Sequence, residues 1–147
     1  MPKFAALIAT ALVSLGLAAC ATPEVPKQKV VYHINQDGGA QDGFYFAALG
    51  NVRNHLNAVG ADKIEVKVVM HGNGLGLVKN AKANTRLQSA IAALKSDLVD
   101  FLVCKNTMTA RNIAREDLYD VDSEDIVVSG VAELTNLQHK GYTYVKP

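Results

Sequence analysis

Short runs of β-branched and aromatic residues alternate in this chain with segments of helical periodicity, and this alternation restricts the fold more than any other feature. The runs show little polar alternation, as expected for strands covered on both faces. Strand–helix–strand units of this kind give right-handed crossovers and a parallel sheet. We therefore predict an α/β fold, a single three-layer α/β/α domain with a mostly parallel five-stranded sheet. The predicted strands are Val30–Ile34, Ile64–Met70, Leu98–Val103, Ile126–Val128 and Tyr142–Val145.

Helix starts are predicted from capping residues that precede apolar periodicity. Asp42 is placed to cap a helix that ends near Gly60, and Thr85 with Gln88 fits a capping box. Ser129 fits the cap of a third helix, and a short helix is predicted around Thr109–Arg115.

Charge and size exclude several classes of function. The chain has 147 residues, which suits one domain, and 15 Lys and Arg balance 14 Asp and Glu to a formal charge of +1. A balance so near zero gives no electrostatic reason to expect binding to nucleic acid or to an anionic membrane surface. The sequence contains no Trp, and its Phe and Tyr residues are not interleaved with basic ones. We expect no nucleic-acid partner.

The amino-terminal segment is predicted to be a targeting signal. Lys3 is followed by the uncharged run 4–19, which is shorter than the ~20 residues of a transmembrane helix but suits a secretory signal. Residues 17–20, Leu-Ala-Ala-Cys, resemble the lipoprotein box of bacterial signals, which implies lipidation of Cys20. We expect a signal peptide over 1–19, a lipidated Cys20 with a tether over 20–29, and a domain over 30–147.

This resemblance also implies a location. The protein would lie in the bacterial cell envelope facing the periplasm, attached to the membrane only through its lipid. Because Ala21 is not Asp, the outer membrane is favoured. An ordinary signal cleaved near Ala19 or Ala21, or an uncleaved anchor, remains an alternative.

Cys104 is the strongest candidate nucleophile. It lies between a predicted strand and a predicted helix, beside Lys105, and both helix N–H groups and an ammonium favour the reactive thiolate. In parallel sheets, ligands bind beyond the carboxyl ends of the strands, where residues 35–39, 71–76 and 104–107 are expected to meet. The alternative is that Cys104 is an inert, buried apolar residue.

The remaining histidines and carboxylates give weaker signals. His71 precedes glycines at 72, 74 and 76, which indicates either a site that the backbone approaches closely or a tight turn. His33 inside the first strand is more typical of a hydrogen-bonded core histidine. No cluster has the spacing of a metal site, so we expect neither a metal nor a cofactor.

Several segments together resemble the DsrE/DsrF-like family of sulfur-handling proteins over about Lys29–Pro147. They are 30–35, Val-Val-Tyr-His-Ile-Asn; 68–74, Val-Val-Met-His-Gly-Asn-Gly; 101–108, Phe-Leu-Val-Cys-Lys-Asn-Thr-Met; and 127–134, Val-Val-Ser-Gly-Val-Ala-Glu-Leu, with Gln138 and Gly141-Tyr142. The resemblance implies a parallel-sheet α/β/α fold, a homo-oligomer (trimer or hexamer), and sulfur carried as a persulfide on Cys104.

The leading hypothesis is a lipid-anchored sulfur carrier or sulfurtransferase-like protein. Its partners would be small sulfur species or a thiol acceptor. Lys105 would favour the Cys104 thiolate, while Asn35, His71 and Asn106 would orient the sulfur species. The alternatives are a non-catalytic binding or assembly module of the same fold and a thiol redox sensor.

Overall fold

The computed structural model describes residues 26–147, so the predicted signal peptide and Cys20 lie outside the described residues. Helices and strands alternate along this part of the chain. The strands are β1 (Gln28–Ile34), β2 (Ile64–Met70), β3 (Asp100–Cys104), β4 (Ile126–Val127) and β5 (Thr143–Val145). The helices are α1 (Gly43–Val59), α2 (Gly76–Asn80), α3 (Thr85–Ser96), α4 (Lys105–Ala110) and α5 (Gly130–His139).

The five strands form one sheet in the order β4-β3-β2-β1-β5, and every neighbouring pair is parallel. This confirms the predicted α/β fold. In the register, Ile34 pairs with Met70, and Met70 pairs with Val103. The carboxyl ends of the three central strands are therefore level with one another.

Helices cover both faces of the sheet. The larger core lies between one face and helices α1 and α3, and contains Val52, Leu56, Leu87 and Ile91. On the other face, Leu134 and Leu137 of α5 pack on Val31 and Val69, with Tyr142 closing the cluster. Since side chains alternate along a strand, neighbouring strand residues contribute to opposite cores. None of the helices between residues 26 and 147 is both long and apolar enough to cross a membrane.

Some predicted boundaries differ from the structure. Strand β1 begins at Gln28, so the last two residues assigned to the tether belong to the sheet. Leu98 is not part of β3, because it takes a left-handed conformation with φ 62° in the turn after α3. The short helix predicted around Thr109–Arg115 lies at Lys105–Ala110 instead, and left-handed Asn112 (φ 50°) interrupts the predicted range.

Two predicted caps are also wrong. Asn84, and not Thr85, caps α3, because its Oδ1 accepts hydrogen bonds from the N–H groups of Arg86 and Leu87. Asp42 precedes α1 but makes no side-chain cap. Its carboxylate instead accepts hydrogen bonds from the amides of Asn80 and Asn84, which ties the start of α1 to the segment before α3. The predicted Ser129 cap of α5 is confirmed, with Ser129 Oγ accepting from Ala132 N.

Candidate functional site around Cys104

The sheet brings three predicted site residues to one edge. Ile34, Met70 and Val103 are aligned across β1, β2 and β3. The residues that follow these three along the chain are Asn35, His71 and Cys104, respectively. The expectation that these segments meet at the carboxyl edge therefore agrees with the register, although the three side chains have different partners.

The Cys104 thiol lies where β3 passes into α4 and is buried, with 4% of the residue exposed. Burial raises the pKa of the thiol, but hydrogen bonds from the Thr107 hydroxyl and from the backbone N–H groups of Gly130, Thr107 and Asn106 lower it. The donors prevail, and the pKa of Cys104 lies below the usual value of a cysteine. The site therefore favours the thiolate in a position that is largely closed to solvent.

Gly130 allows α5 to approach the thiol closely. A Cβ at this position would lie 3.0 Å from His71 Cβ and 3.3 Å from Cys104 Cβ. Such distances are tighter than ordinary van der Waals contacts. The missing side chain is therefore what lets the first N–H of α5 reach Cys104.

Thr107 connects Cys104 to the glycine-rich segment. Its hydroxyl oxygen accepts a hydrogen bond of 3.0 Å from the Gly72 N–H, which leaves the hydroxyl proton for the sulfur of Cys104. Further along, a Cβ on Gly74 would lie 2.0 Å from the carbonyl oxygen of Ile34. The glycines at 72 and 74 therefore serve a tight turn against the end of β1, which favours the turn interpretation of this motif.

His71 is part of a chain of three hydrogen-bonding side chains. Its Nε2 lies 2.7 Å from Nε2 of His33, and Nδ1 of His33 lies 2.7 Å from the hydroxyl of Tyr144. The two imidazole planes are inclined by 25°, and their centroids are 4.7 Å apart. Burial, the neighbouring His71 and the Lys146 ammonium lower the pKa of His33 to about 4, and burial and Lys146 also lower the pKa of His71. Both shifts favour the neutral form of the imidazole.

The other predicted site residues have different environments. Asn35 Oδ1 accepts a hydrogen bond from Lys146. Asn106 contributes its backbone N–H, which also donates to Val128 O. Lys105 is exposed, and its ammonium is not among the groups that lower the pKa of Cys104. The backbone and hydroxyl donors therefore replace the predicted ammonium as the source of thiolate stabilisation.

Two clefts flank the site. An apolar cleft of about 660 Å³ runs between α4 and β4 and includes Lys105, Met108 and Val128 in its lining. A polar cleft of about 280 Å³ includes Asn73 and Arg111, whose Nη2 donates to Asn73 Oδ1 at 2.7 Å. Within residues 26–147, no three His, Cys, Asp or Glu side chains converge to hold a metal ion.

A parallel α/β sheet with a thiol at the carboxyl end of a central strand defines the class of this domain. The model of the DsrE/DsrF-like family matches residues 28–147, and the chain belongs to that family. The family is related to sulfur relay. A search of curated protein sequences gives no match.

Two solved structures resemble the domain. One is MTH1491 from Methanobacterium thermoautotrophicum, described as a protein of unknown function, with a TM-score of 0.69 and 24% identity over 82% of this chain and 100% of that chain. The other is the ychN protein from E. coli, with a TM-score of 0.63 and 14% identity over 82% of this chain and 99% of that chain. At such identities these likenesses concern the fold alone.

The sequence favoured a hydrogen-bonded core histidine at His33, which agrees with its burial and its two contacts, but it assigned no role to Gly130 or Tyr144. His33 lies in β1, and His71 directly follows β2. The register places His33 beside Val69, so that His71 is its diagonal neighbour on the same face. A correct register assignment would have paired the two histidines. Tyr144 follows in the same way, since β5 pairs with β1 through Val30–Tyr32.

Proposed function

We propose that this protein is a sulfur carrier that holds sulfane sulfur as a persulfide on Cys104. The observation that carries the proposal is the convergence of four hydrogen-bond donors on one thiol, which lowers its pKa despite burial. Thiolate is the nucleophilic form of cysteine. Membership of the DsrE/DsrF-like family supports the same interpretation.

The chemistry needs one protein thiol and no change in overall oxidation state. The Cys104 thiolate attacks the terminal sulfur of a donor R–S–SH, the S–S bond of the donor breaks, and its electron pair leaves with the inner sulfur as RS⁻. Cys104 then carries Cys–S–SH. In the release step an acceptor thiol R′–SH loses its proton and attacks the terminal sulfur, giving R′–S–SH and restoring the Cys104 thiolate.

Burial restricts the donor. With 4% of Cys104 exposed, small sulfur species such as inorganic polysulfide fit the site better than the thiol of a folded partner. Gly130 limits the space beside Cys104, because even a methyl group at this position would lie 3.3 Å from Cys104 Cβ. The proposed substrate class is therefore small polysulfides and low-molecular-weight persulfides.

The test is mass spectrometry of the full chain after incubation with polysulfide. We expect a gain of one or more sulfur atoms that maps to the peptide containing Cys104 and is reversed by a reducing thiol. Cys104→Ser should not gain it, and Cys20→Ala should gain it normally. Absence of any adduct on Cys104 in the wild-type chain would contradict the proposal.

The burial of Cys104 favours one alternative, a binding or assembly module of the same fold in which the thiol is inert. That function predicts that neither polysulfide nor small alkylating reagents modify Cys104 in the folded chain. The same mass measurement separates the two functions, because a carrier must gain sulfur from polysulfide on Cys104.

The cellular setting is a further part of the proposal. We place the protein in the cell envelope, lipid-anchored through Cys20 and facing the periplasm, on the strength of the lipoprotein-like sequence at residues 17–20. Cys20→Ala should abolish labelling by a fatty-acid probe and leave the signal unprocessed by the lipoprotein route. Persistent labelling of this variant would contradict the assignment.

We also propose that the domain forms a homo-oligomer, a trimer or hexamer. Val128, which precedes α5, and Val131, at its second position, are 75% and 60% exposed, and neighbouring exposed apolar side chains of this kind are typical of interfaces between chains. Light scattering after size-exclusion chromatography measures the assembly. A monomer at all tested concentrations would contradict this proposal.

A further inference from the structure

The hydrogen-bonded chain Tyr144–His33–His71 has two equivalent arrangements of its protons. If His71 Nε2 carries a proton and donates to His33, then His33 Nδ1 carries one and donates to Tyr144. In the reverse arrangement Tyr144 donates to His33 Nδ1, and His33 Nε2 donates to His71. Both arrangements satisfy the same two contacts of 2.7 Å, because each group both donates and accepts.

Both ends of this chain reach the surface, while its centre does not. His33 is 9% exposed and Tyr144 is 40% exposed. His71 Nδ1 has no hydrogen-bond partner within residues 26–147. Because no side-chain nitrogen or oxygen of that region is both buried and unpartnered, this nitrogen is accessible. A proton can therefore enter at one end and leave at the other.

The His71 end of this hydrogen-bonded chain lies beside the residue that bears the thiol. A single methyl group placed on Gly130 would touch the Cβ atoms of both His71 and Cys104. His71 and Cys104 also follow directly on the paired residues Met70 and Val103 of neighbouring strands. Of the three hydrogen-bonded groups, His71 is therefore the one beside the proposed sulfur site.

We infer that His33 and Tyr144 form a proton relay that serves His71 when sulfur leaves Cys104. This inference rests on the proposed function. The proton of the acceptor thiol passes to His71 Nδ1, the Nε2 proton of His71 passes to His33 Nε2, the Nδ1 proton of His33 passes to Tyr144, and the Tyr144 hydroxyl proton passes to water. One proton crosses and none of the three groups gains net charge.

The surroundings of the pair suit this neutral mechanism. The charged group that faces both imidazoles is the ammonium of Lys146, which donates a hydrogen bond to Asn35 Oδ1. A nearby cation together with burial disfavours an imidazolium, so an exchange of tautomers is the available route. His33 and Tyr144 are positioning residues in this scheme, since they act on sulfur only through His71.

The test compares Tyr144→Phe and His33→Gln with a matched control, Tyr32→Phe. Tyr32 lies on the same strand as His33, and its hydroxyl is 2.9 Å from Nδ1 of His55, so the control removes a Tyr–His contact away from Cys104. The chain is loaded with polysulfide, and sulfur release to glutathione is timed. Proton transfer by a positioned side chain accelerates a reaction by roughly 10²–10⁴-fold. Since both variants keep His71, loss of an outer group should remove only part of this acceleration and slow release by about tenfold.

The relay predicts slower release and a reduced solvent isotope effect in both variants, with an unchanged rate of Cys104 alkylation and wild-type behaviour of Tyr32→Phe. If the wild-type chain loads sulfur and both variants release it at the wild-type rate, the relay is wrong. Since Tyr144 is half exposed, Tyr144→Phe keeps the test valid even if His33→Gln does not fold.

A second measurement separates failure of the relay from failure of the carrier function. The imidazole ¹⁵N shifts of His33 and His71 should be averaged between the two tautomers in the wild-type chain and displaced in Tyr144→Phe. This holds whether or not sulfur is loaded. A chain that takes up no sulfur refutes the carrier, whereas one fixed tautomer on each ring refutes the relay.

Discussion

Gly130 stands directly over Cys104, and a methyl group on its Cα would lie 3.3 Å from Cys104 Cβ. The contact joins the start of α5 to the end of β3. Its N–H is one of the donors that lower the pKa of the thiol. The position therefore controls both the packing and the electrostatics of the site.

Gly130→Ala should weaken both properties. The added methyl would push α5 away from His71 and Cys104, so we expect a loss of about 1–3 kcal/mol in the free energy of unfolding. Alkylation of Cys104 at pH 7 should also slow, because the Gly130 N–H moves away from the sulfur. Gly50→Ala in α1 is the control, since a Cβ there meets nothing within 4 Å and should stabilise by about 0.5–1 kcal/mol. Equal effects of the two substitutions would contradict this account.

Thr107→Val should raise the pKa of the Cys104 thiol. Valine keeps the shape but removes the hydroxyl that donates to sulfur and accepts from Gly72 N. A hydrogen bond to a charged group contributes about 1.5 kcal/mol or more, so alkylation near pH 7 should slow by roughly tenfold. Thr107→Ser should restore most of the rate, and Thr109→Val, on an exposed position of α4, should leave it unchanged. An unaltered pH profile in Thr107→Val would exclude this role.

The lowered pKa of His33 predicts a loss of stability in acid. The unfolded chain binds a proton near pH 6.5, whereas folded His33 does so only near about 4. The contribution of His33 to the free energy of unfolding should therefore be fully present above pH 6.5. It should fall by roughly 2–3 kcal/mol as the pH decreases from 6.5 to about 4. Thermal unfolding followed across this range should show a shallower dependence in His33→Gln. If the stability of His33→Gln depended on pH as steeply as that of the wild type, the loss of stability in acid would come from other groups.

Asn84→Ala should destabilise α3, and Thr85→Ala should not. Asn84 accepts two backbone hydrogen bonds at the start of the helix and donates to Asp42. Loss of an N-cap costs about 1 kcal/mol, while an exposed substitution such as that at Thr85 stays within about 0.5 kcal/mol. Denaturant unfolding of the two variants measures the difference. A larger loss of stability in Thr85→Ala than in Asn84→Ala would instead support the predicted capping box of Thr85 with Gln88.

The layered architecture was predictable because it depends on periodicity, which is spread over many residues. Strand β2 was assigned with its correct limits, since Ile64–Met70 is bounded on both sides by turn-forming residues. Helix α4 was displaced because the left-handed conformation of Asn112 has no clear sequence signal. Asn84 and Thr85 are adjacent polar residues, either of which can cap a helix, so periodicity alone does not choose between them.

The candidate site was predictable as a place but not as a set of contacts. Topology alone brings Asn35, His71 and Cys104 to one edge of a parallel sheet. The partners of each side chain depend on register and on close approach, as in the pairing of His71 with His33. The Lys105 ammonium was expected to favour the thiolate, whereas backbone and hydroxyl donors do so in the structure.

The donors that acidify Cys104 come from α4, which follows it directly, and from Gly130, more than twenty residues downstream. A chain in which α5 has not yet formed therefore lacks one of the four donors to this thiol. The full set of donors is assembled only when α5 docks, so the acidity of this cysteine reports on completion of the fold.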